Sequence, residues 1–494
     1  MDVVGRIMPA SIDGIEIEGR TEATRREVTG DPGLQPCACV SAIAAETLGS
    51  ESFRLDYGLK YAYLAGAMYK GIASKELVVA MGRASLMGYL GTGGMSFDEM
   101  ESAIRYIQSE LPHRQSYGMN FLCHPERPGI EERTIDLYLK YGISNIEVAA
   151  FTQITPSLVR YRLKGLTRNG NGMAKARTRV LAKVSRPEVA VTFMGPAPEA
   201  IVRTLVASGH LTTEEAELGQ SLPMADDICV EADSGGHTDG GVAYALLPTI
   251  LALRDKAIAK YRYAQRINVG TAGGIGTPQA AAAAFIMGAD FIVTGSINQC
   301  TVEAGTSEAV KEILEKISVQ DTAYAPAGDM FEIGSKIQVV KKGLFFPARG
   351  NKLYELYQRY NSLEEIDTET RKHIQERYFH RSFDEVWNET VAYYNRVSPE
   401  KVKALEKSPK QKMASIFKWY FMHTSRLALE GRREQAVDYQ IHCGPALGAF
   451  NQWVEGTELQ SWRKRRVAEL AERIMEGTAE LLNRRFTNFR QITL

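Results

Sequence analysis

From Tyr61 onward, short apolar runs alternate with stretches of helical periodicity. That rhythm predicts repeated strand–helix units and a parallel sheet. Eight runs read as strands: YAYLAGAM (61–68), LMGYLGT (86–92), YGMNFLC (117–123), NIEVAAF (145–151), RVLAKVS (179–185), DICVEA (227–232), INVGTA (267–272) and FIVTGS (291–296). Helical patterns fill the gaps at FDEMESAIRYIQSEL (97–111), IEERTIDLYLKYG (130–142), TPSLVRYRL (155–163), APEAIVRTLVASG (197–209), LLPTILALRDKAIAKY (246–261) and PQAAAAAFIMG (278–288), and SEAVKEILEKI (307–317) follows the last strand. Eight such units in about 260 residues have the count and size of a (β/α)8 TIM barrel. The competitor is a doubly wound sheet, which usually shows GxGxxG after its first strand. GTGGMS (91–96) ends in Ser96 and GTAGGIG (270–276) is spaced differently, so neither matches. After Ser318 strand signals become rare, and TRKHIQERYFHRSFDEVWNETVAYYNRV (370–397) and SWRKRRVAELAERIMEGTAELLNRRF (461–486) read as long helical stretches. The expected fold class is α/β, a (β/α)8 barrel with a mainly helical C-terminal subdomain. Residues 1–55 read as an N-terminal extension, 56–318 as the barrel and 319–494 as the helical region.

Bulk composition narrows the function classes. The 494 residues are 44% hydrophobic and 24% charged, as in a globular protein. The 59 basic and 59 acidic residues cancel, so no global field favours nucleic acid. Six cysteines, Cys37, Cys39, Cys123, Cys229, Cys300 and Cys443, show no CxxC spacing, which indicates neither a zinc site nor a disulfide framework. No HExxH pair is present. The start MDVVGRIMPASIDG does not read as a signal peptide, and no apolar run reaches membrane-spanning length. A reducing cytoplasm fits this usage.

Barrel chemistry sits where strands end. The seventh strand runs into TAGGIGT (271–277) and the eighth into TGSIN (294–298). Glycines there let backbone N–H groups approach an anion, and a following helix adds partial positive charge; ordinary turns are the alternative. Asn120 lies in GMNF near the end of the third strand, where an amide reads a heterocycle edge or satisfies backbone. Lys183 lies in the apolar strand RVLAKVS, a costly place for a charge unless it is paired or faces the barrel mouth. A snorkelling lysine is the bland reading. His237 follows the sixth strand in VEADSGGHTDGG (230–241). It suits proton transfer near neutrality or positioning of a carbonyl, against a histidine that only satisfies a turn. Asp233 and Asp239 beside it have no assigned role.

Several motifs carry a resemblance. YAYLAGAMYKGIASKELVVAMGRASLMGYLGT (61–92), GMNF, LAKVS, SGGHTD, AGGI and TGS occur in the order seen in the 2-nitropropane dioxygenase-like (nitronate monooxygenase) flavoproteins. Further segments, KKGLFFPARGNKLYELY (341–357), RSFDEVWNET (381–390), KWYFMHTSRLALEG (418–431) and DYQIHCGPALGAFNQW (438–453), resemble the trans-acting enoyl reductases of bacterial polyketide and polyunsaturated-fatty-acid synthases. The likeness implies FMN and NADPH as cofactors and a 2-enoyl thioester on an acyl carrier protein as substrate. It implies that Gly66, Ala67, Met68 and Gly236 approach the flavin, that Asn120 and Lys183 meet its polar edge, and that Gly273, Gly274, Gly295 and Ser296 hold its phosphate. His237 is implied as catalytic, either polarising the thioester or protonating Cα. Ala67 stands where the broader superfamily commonly has proline. The run Arg463, Lys464, Arg465, Arg466 is expected to dock an acidic carrier or to be a solvated helix face. Nitronate oxidation and a non-catalytic flavin-bearing scaffold protein are the rival functions. Homo-oligomerisation is left open.

Overall fold

The computed structural model describes residues 42–113, 115–124 and 127–491. The part of the expected extension at residues 1–41, with Cys37 and Cys39, lies outside the described residues. In chain order the strands are β1 (Tyr63–Ala65), β2 (Met87–Leu90), β3 (Gly118–Leu122), β4 (Asn145–Ala149), the short hairpin β5 (Thr167–Arg168) and β6 (Ala174–Lys175), and β7 (Arg179–Val184). Then come β8 (Asp227–Glu231), β9 (Gly236–Thr238), β10 (Asn268–Ala272), β11 (Ile292–Thr294), β12 (Thr322–Pro326) and β13 (Lys336–Val340). Eight of them close a parallel barrel in the order β1-β11-β10-β8-β7-β4-β3-β2. All eight expected strands are barrel strands.

The two-residue period of each strand sorts its side chains. Leu64, Met87, Tyr89, Leu181, Cys229 and Val293 point inward and form the barrel's own core. Tyr63, Ala65, Met119, Phe121, Ile146, Val148, Val180, Ala182 and Val230 point outward, under the helices. The same alternation turns Arg179, Lys183, Asp227, Glu231, Asn120 and Glu147 inward, at the two ends of the barrel.

The N-terminal end is plugged. Ser50 caps the helix Glu51–Tyr57, and Gly58 ends it in the left-handed region. Phe53 stacks on Phe291 with centroids 4.2 Å apart. Burying a phenylalanine this way contributes roughly 1.5–3 kcal/mol. Tyr57 donates to Asp227 Oδ2 at 2.6 Å and Asn268 donates to Oδ1 at 2.7 Å. Arg179 lies 3.7 Å from Asp227 and 3.0 Å from Asp56. Burial pushes the Asp227 carboxyl up, and Arg179 opposes that.

The C-terminal region is largely helical, with two departures from expectation. Strands β12 and β13 pair antiparallel, and β9 joins β13 to make a three-stranded sheet. The alternation in KIQVV carried that signal: Ile337 and Val339 are buried against the aromatic core of the helical subdomain. The expected long helices also break. His380 adopts a left-handed conformation, φ 52°, and Ser382 starts a new helix, Phe383–Val397, with a Ser382/Glu385 capping box. The C-terminal helix begins only at Val467, after a turn at Trp462–Lys464.

Candidate active site

Above the apolar middle of the barrel lies a charged cluster. Lys183 Nζ is 3.0 Å from Glu231 and 3.7 Å from Glu147. Burial pulls Lys183 down, and the two carboxylates outweigh it, so it stays protonated. Glu147 is 1% exposed, and burial raises its carboxyl while Lys183 and the Ala67 N–H oppose this. Its Oε2 accepts from the Ala67 amide at 3.1 Å, whereas Oε1 has no hydrogen-bond partner among the described residues. Asn120 donates to the Glu147 carbonyl at 3.1 Å. Asn120 and Lys183, expected at one edge of a ligand, therefore do meet, through Glu147. The sequence reading missed Glu147; an acidic residue at an inward position of the apolar strand NIEVA was its signal.

Gly66, Ala67 and Met68 form the turn just beyond β1. Gly66 donates to the Thr294 carbonyl at 2.9 Å, so this turn rests against β11. A Cβ on Gly66 would come within 2.9 Å of Val293.

The glycine loops after β10 and β11 are adjacent because their strands pair. Gly273 has φ 94° and Gly274 φ 74°. A Cβ on Gly273 would strike the carbonyls of Ala232 and Asp233 at 2.7 and 2.8 Å. A Cβ on Gly274 or Gly295 would meet nothing within 4 Å. Open backbone thus lies beside the start of the helix Pro278–Ile286, which Thr277 caps. Such a surface suits an anion. Together with the Glu147 oxygen that lacks a hydrogen bond and Lys183 at the mouth, it fits a flat polar-edged ligand that ends in a phosphate. Ser296 is already engaged: its hydroxyl accepts from the Gly444 amide at 3.0 Å.

His237 does not sit in an irregular loop. It is the centre of β9, paired with Ile337 of β13. Its Nε2 lies 2.8 Å from Asp329 Oδ1 in the β12–β13 connection. Burial lowers its pKa, but the hydrogen bond and charge of Asp329 prevail and leave it raised above the ordinary 6.5. Burial works against the Asp329 carboxylate, but His237 wins and lowers its pKa. A carboxylate only accepts, so Nε2 donates and Nδ1 is left for a ligand. Gly236, φ 86°, lies beside His442 of the C-terminal segment: a Cβ there would be 3.5 Å from His442 Nδ1.

The carboxylates around His237 turn out to be clamps. Asp233 accepts from Thr238, Gln338 and Tyr324, tying β9, β12 and β13 together. Asp239 accepts from Ser185 and Arg186, and Arg186 holds its pKa low.

The basic run is not one docking strip. Arg465 is 0% exposed, donating to the Leu459 and Gln460 carbonyls and to Cys300 Sγ. Arg463 pairs with Glu308 at 3.2 Å and Arg466 with Glu303 at 3.8 Å. The run lies before the C-terminal helix, and its buried member anchors that turn to the barrel.

A family model described as the acyl-carrier-protein S-malonyltransferase inserted helical domain matches residues 360–439, within the helical subdomain. The chain is 56% identical over 451 residues to the polyketide biosynthesis protein PksE of Bacillus subtilis, covering 91% of this chain and 58% of PksE. It is 49% identical over 458 residues to the polyketide biosynthesis protein ThaF of Burkholderia thailandensis, covering 93% of this chain and 39% of ThaF. The chain thus spans little more than half of the first of these relatives and less of the second. Among solved structures, it is 45% identical to the enoyl reductase domain of MlnA, from the macrolactin biosynthesis cluster of Bacillus amyloliquefaciens, with a TM-score of 0.87 and coverage of 90% of this chain and 99% of that domain. Matched along nearly its whole described length to that domain, through the barrel and the helical subdomain alike, the chain belongs to the family of polyketide-cluster enoyl reductase domains.

Proposed function

We propose that this chain is an enoyl reductase that uses FMN and NADPH to reduce the α,β double bond of 2-enoyl thioesters held on an acyl carrier protein. The observation that carries this reading is the likeness to the MlnA enoyl reductase domain across 99% of that domain. The names of the polyketide relatives, and of polyunsaturated fatty acid synthase proteins from Thraustochytrium that are 44% identical over 430 residues or more, support a place in polyketide or polyunsaturated-fatty-acid assembly. The helical block 360–439 resembles part of an enzyme named for a carrier-protein substrate, which supports a carrier-bound thioester here.

Bound FMN supplies hydride equivalents taken from NADPH. The residues of this chain do the rest. Gly273, Gly274, Gly295 and Ser296 would hold the FMN phosphate with backbone and hydroxyl groups. Lys183, fixed between Glu147 and Glu231, and Asn120, on the Glu147 carbonyl, would meet the polar edge of the ring system. Gly66, Ala67 and Met68, just beyond β1, would line the ring. His237, with Asp329 on Nε2, holds a proton at Nδ1 that is available to the substrate.

The test is NADPH consumption by purified protein given crotonyl thioester on a carrier protein. Turnover with conversion to the butyryl thioester is the expected result. Oxygen-dependent turnover of a nitroalkane with no thioester reduction would replace this reading with nitronate oxidation. A flavin-bearing protein that never consumes NADPH and turns over neither substrate would instead be a scaffold.

A further inference from the structure

The C-terminal segment Gln440–Gly444 brings a second histidine to the mouth of the barrel. His237 stands opposite Ile337 on β13, and His442 stands opposite Val339. Directly opposed residues share a face of a sheet, and so do residues two apart on one strand. Both imidazoles therefore project from the same face of the β9–β13 sheet. Flanking contacts hold the segment there. Val340 donates to the Ile441 carbonyl and Cys443 to the Gln338 carbonyl. Gly235 has room for no side chain, since a Cβ would lie 2.7 Å from the Gly444 amide nitrogen. The Gly444 amide reaches Ser296 on the far side, so the segment bridges the phosphate loop and the His237 strand.

The hydrogen bonds of His442 define its tautomer. The Gln440 side-chain amide lies between the Thr424 hydroxyl, whose proton goes to the Tyr420 carbonyl at 2.9 Å, and the imidazole, with its nitrogen toward the imidazole. That nitrogen lies 2.7 Å from His442 Nε2 and donates to it. Nε2 carries the lone pair, and the proton sits on Nδ1. Among the described residues no hydrogen bond reaches Nδ1, and it faces Gly236. Burial, reinforced by His237, lowers the pKa of His442 to about 4, with Asp329 opposing. His442 is thus a neutral donor at working pH. His237, paired with Asp329 and also facing Glu231, is biased toward its charged form. Two titratable groups pushed apart in this way divide acid–base roles between them.

We infer that His442 is a second catalytic residue, whose Nδ1–H donates a hydrogen bond to the thioester carbonyl oxygen while His237 delivers the proton to Cα. This rests on the enoyl-thioester reading above. As hydride adds to Cβ, the π pair shifts toward the carbonyl and negative charge gathers on its oxygen. A fixed neutral N–H stabilises that charge and keeps its own proton. The pair returns to Cα when His237 Nδ1 gives up its proton, and solvent restores that proton. The balance is one hydride, from the NADPH-reduced cofactor, and one proton added across the double bond. The sequence alone left His237 to serve as either oxygen donor or proton source; His442 takes the first role and leaves His237 the second.

The test uses the full-length, flavin-loaded protein. His442→Ala should lower kcat by about 10²–10³-fold with little change in KM, the scale of a lost oxyanion donor. Gln440→Leu keeps the imidazole and its strand pairing but releases the tautomer. It should lower kcat by roughly ten-fold, the scale of one hydrogen bond, and it carries the test if His442→Ala fails to fold. A second readout needs no turnover: the carbonyl stretch of bound 13C-labelled butyryl-pantetheine thioester. It should shift to lower frequency in the wild type and in His237→Ala, but not in His442→Ala. A His442→Ala protein within about two-fold of wild-type kcat, or a carbonyl shift abolished by His237→Ala instead, overturns the assignment. Wild-type protein that reduces no enoyl thioester overturns the functional reading and this inference together. Active wild type with an indifferent His442 overturns the inference alone.

Discussion

The two ends of the barrel interior are built from the same strands and the same kinds of residue, yet they differ in use. β7 carries Arg179 at one end and Lys183 at the other; β8 carries Asp227 and Glu231. Between them lies the apolar layer of Leu181 and Cys229. At the N-terminal end a helix supplies Tyr57 to Asp227 and Phe53 to Phe291, so the charges are satisfied within the protein. At the other end the loops stand back. Lys183 keeps 14% and Glu231 25% of its side-chain surface, and Glu147 Oε1 is left without a hydrogen bond among the described residues. A charge inside a barrel is thus ambiguous evidence. What covers it decides whether it stabilises the fold or binds a ligand.

Substitutions at the two ends should separate stability from activity. The largest effect is expected at the closed end. Arg179→Met leaves the buried Asp227 without its cation, and should cost about 3–5 kcal/mol of unfolding free energy while leaving kcat intact. Denaturant melts alongside turnover would show this, and a fall in kcat at unchanged stability would erase the distinction between the ends. Next, at the open end, His237→Ala should keep its flavin and lose only the small stability of its exposed Asp329 pair, but lose about 10²–10⁴-fold in kcat, the range for a general acid. Full activity would reduce this histidine to a structural role. Lys183→Met should weaken flavin binding by roughly ten- to a hundred-fold, the scale of a hydrogen bond to a charged group. Titration of apoprotein with FMN measures this.

The smallest effect is a displacement along the pH axis. The pKa of His237 in the folded protein is raised above its ordinary 6.5 because Asp329 outweighs burial. The stability from that pair is therefore full below about 6.5 and fades as pH rises through the folded value. Proton delivery fades over the same window. Asp329→Asn should move the alkaline limb of kcat to lower pH while leaving the low-pH plateau within a few-fold. An unmoved limb would mean that another group controls it.

The eight barrel strands were legible because each has a strong local signal: an apolar run bounded by turn formers, repeated at strand–helix spacing. The glycine loops were legible for a similar reason, since their place after the seventh and eighth strands follows from counting. The helical stretches after residue 370 were legible as helical but not in their breaks. His380 in a left-handed conformation has no simple composition signature. The strands β12 and β13 were masked by the helical segments around them, though KIQVV alternates as a strand should. The basic run misled because four cations in sequence look like one surface. Packing turned Arg465 into the interior and tied Arg463 and Arg466 to glutamates.

The sequence by itself determined which residues lie inside the barrel, because a two-residue period leaves each strand one inward set once one face is apolar. It also determined that His237 follows the sixth barrel strand, among glycines that spare the backbone any steric demand. Only the tertiary structure decided the partners of those residues. Asp329 lies 92 positions from His237, and His442 reaches Gly236 from more than two hundred positions away. No local pattern encodes such pairings; they arise when a separate three-stranded sheet packs over the mouth. Local spacing placed His237, but the electrostatics that raise one histidine and lower the other come from groups that meet only in the folded chain.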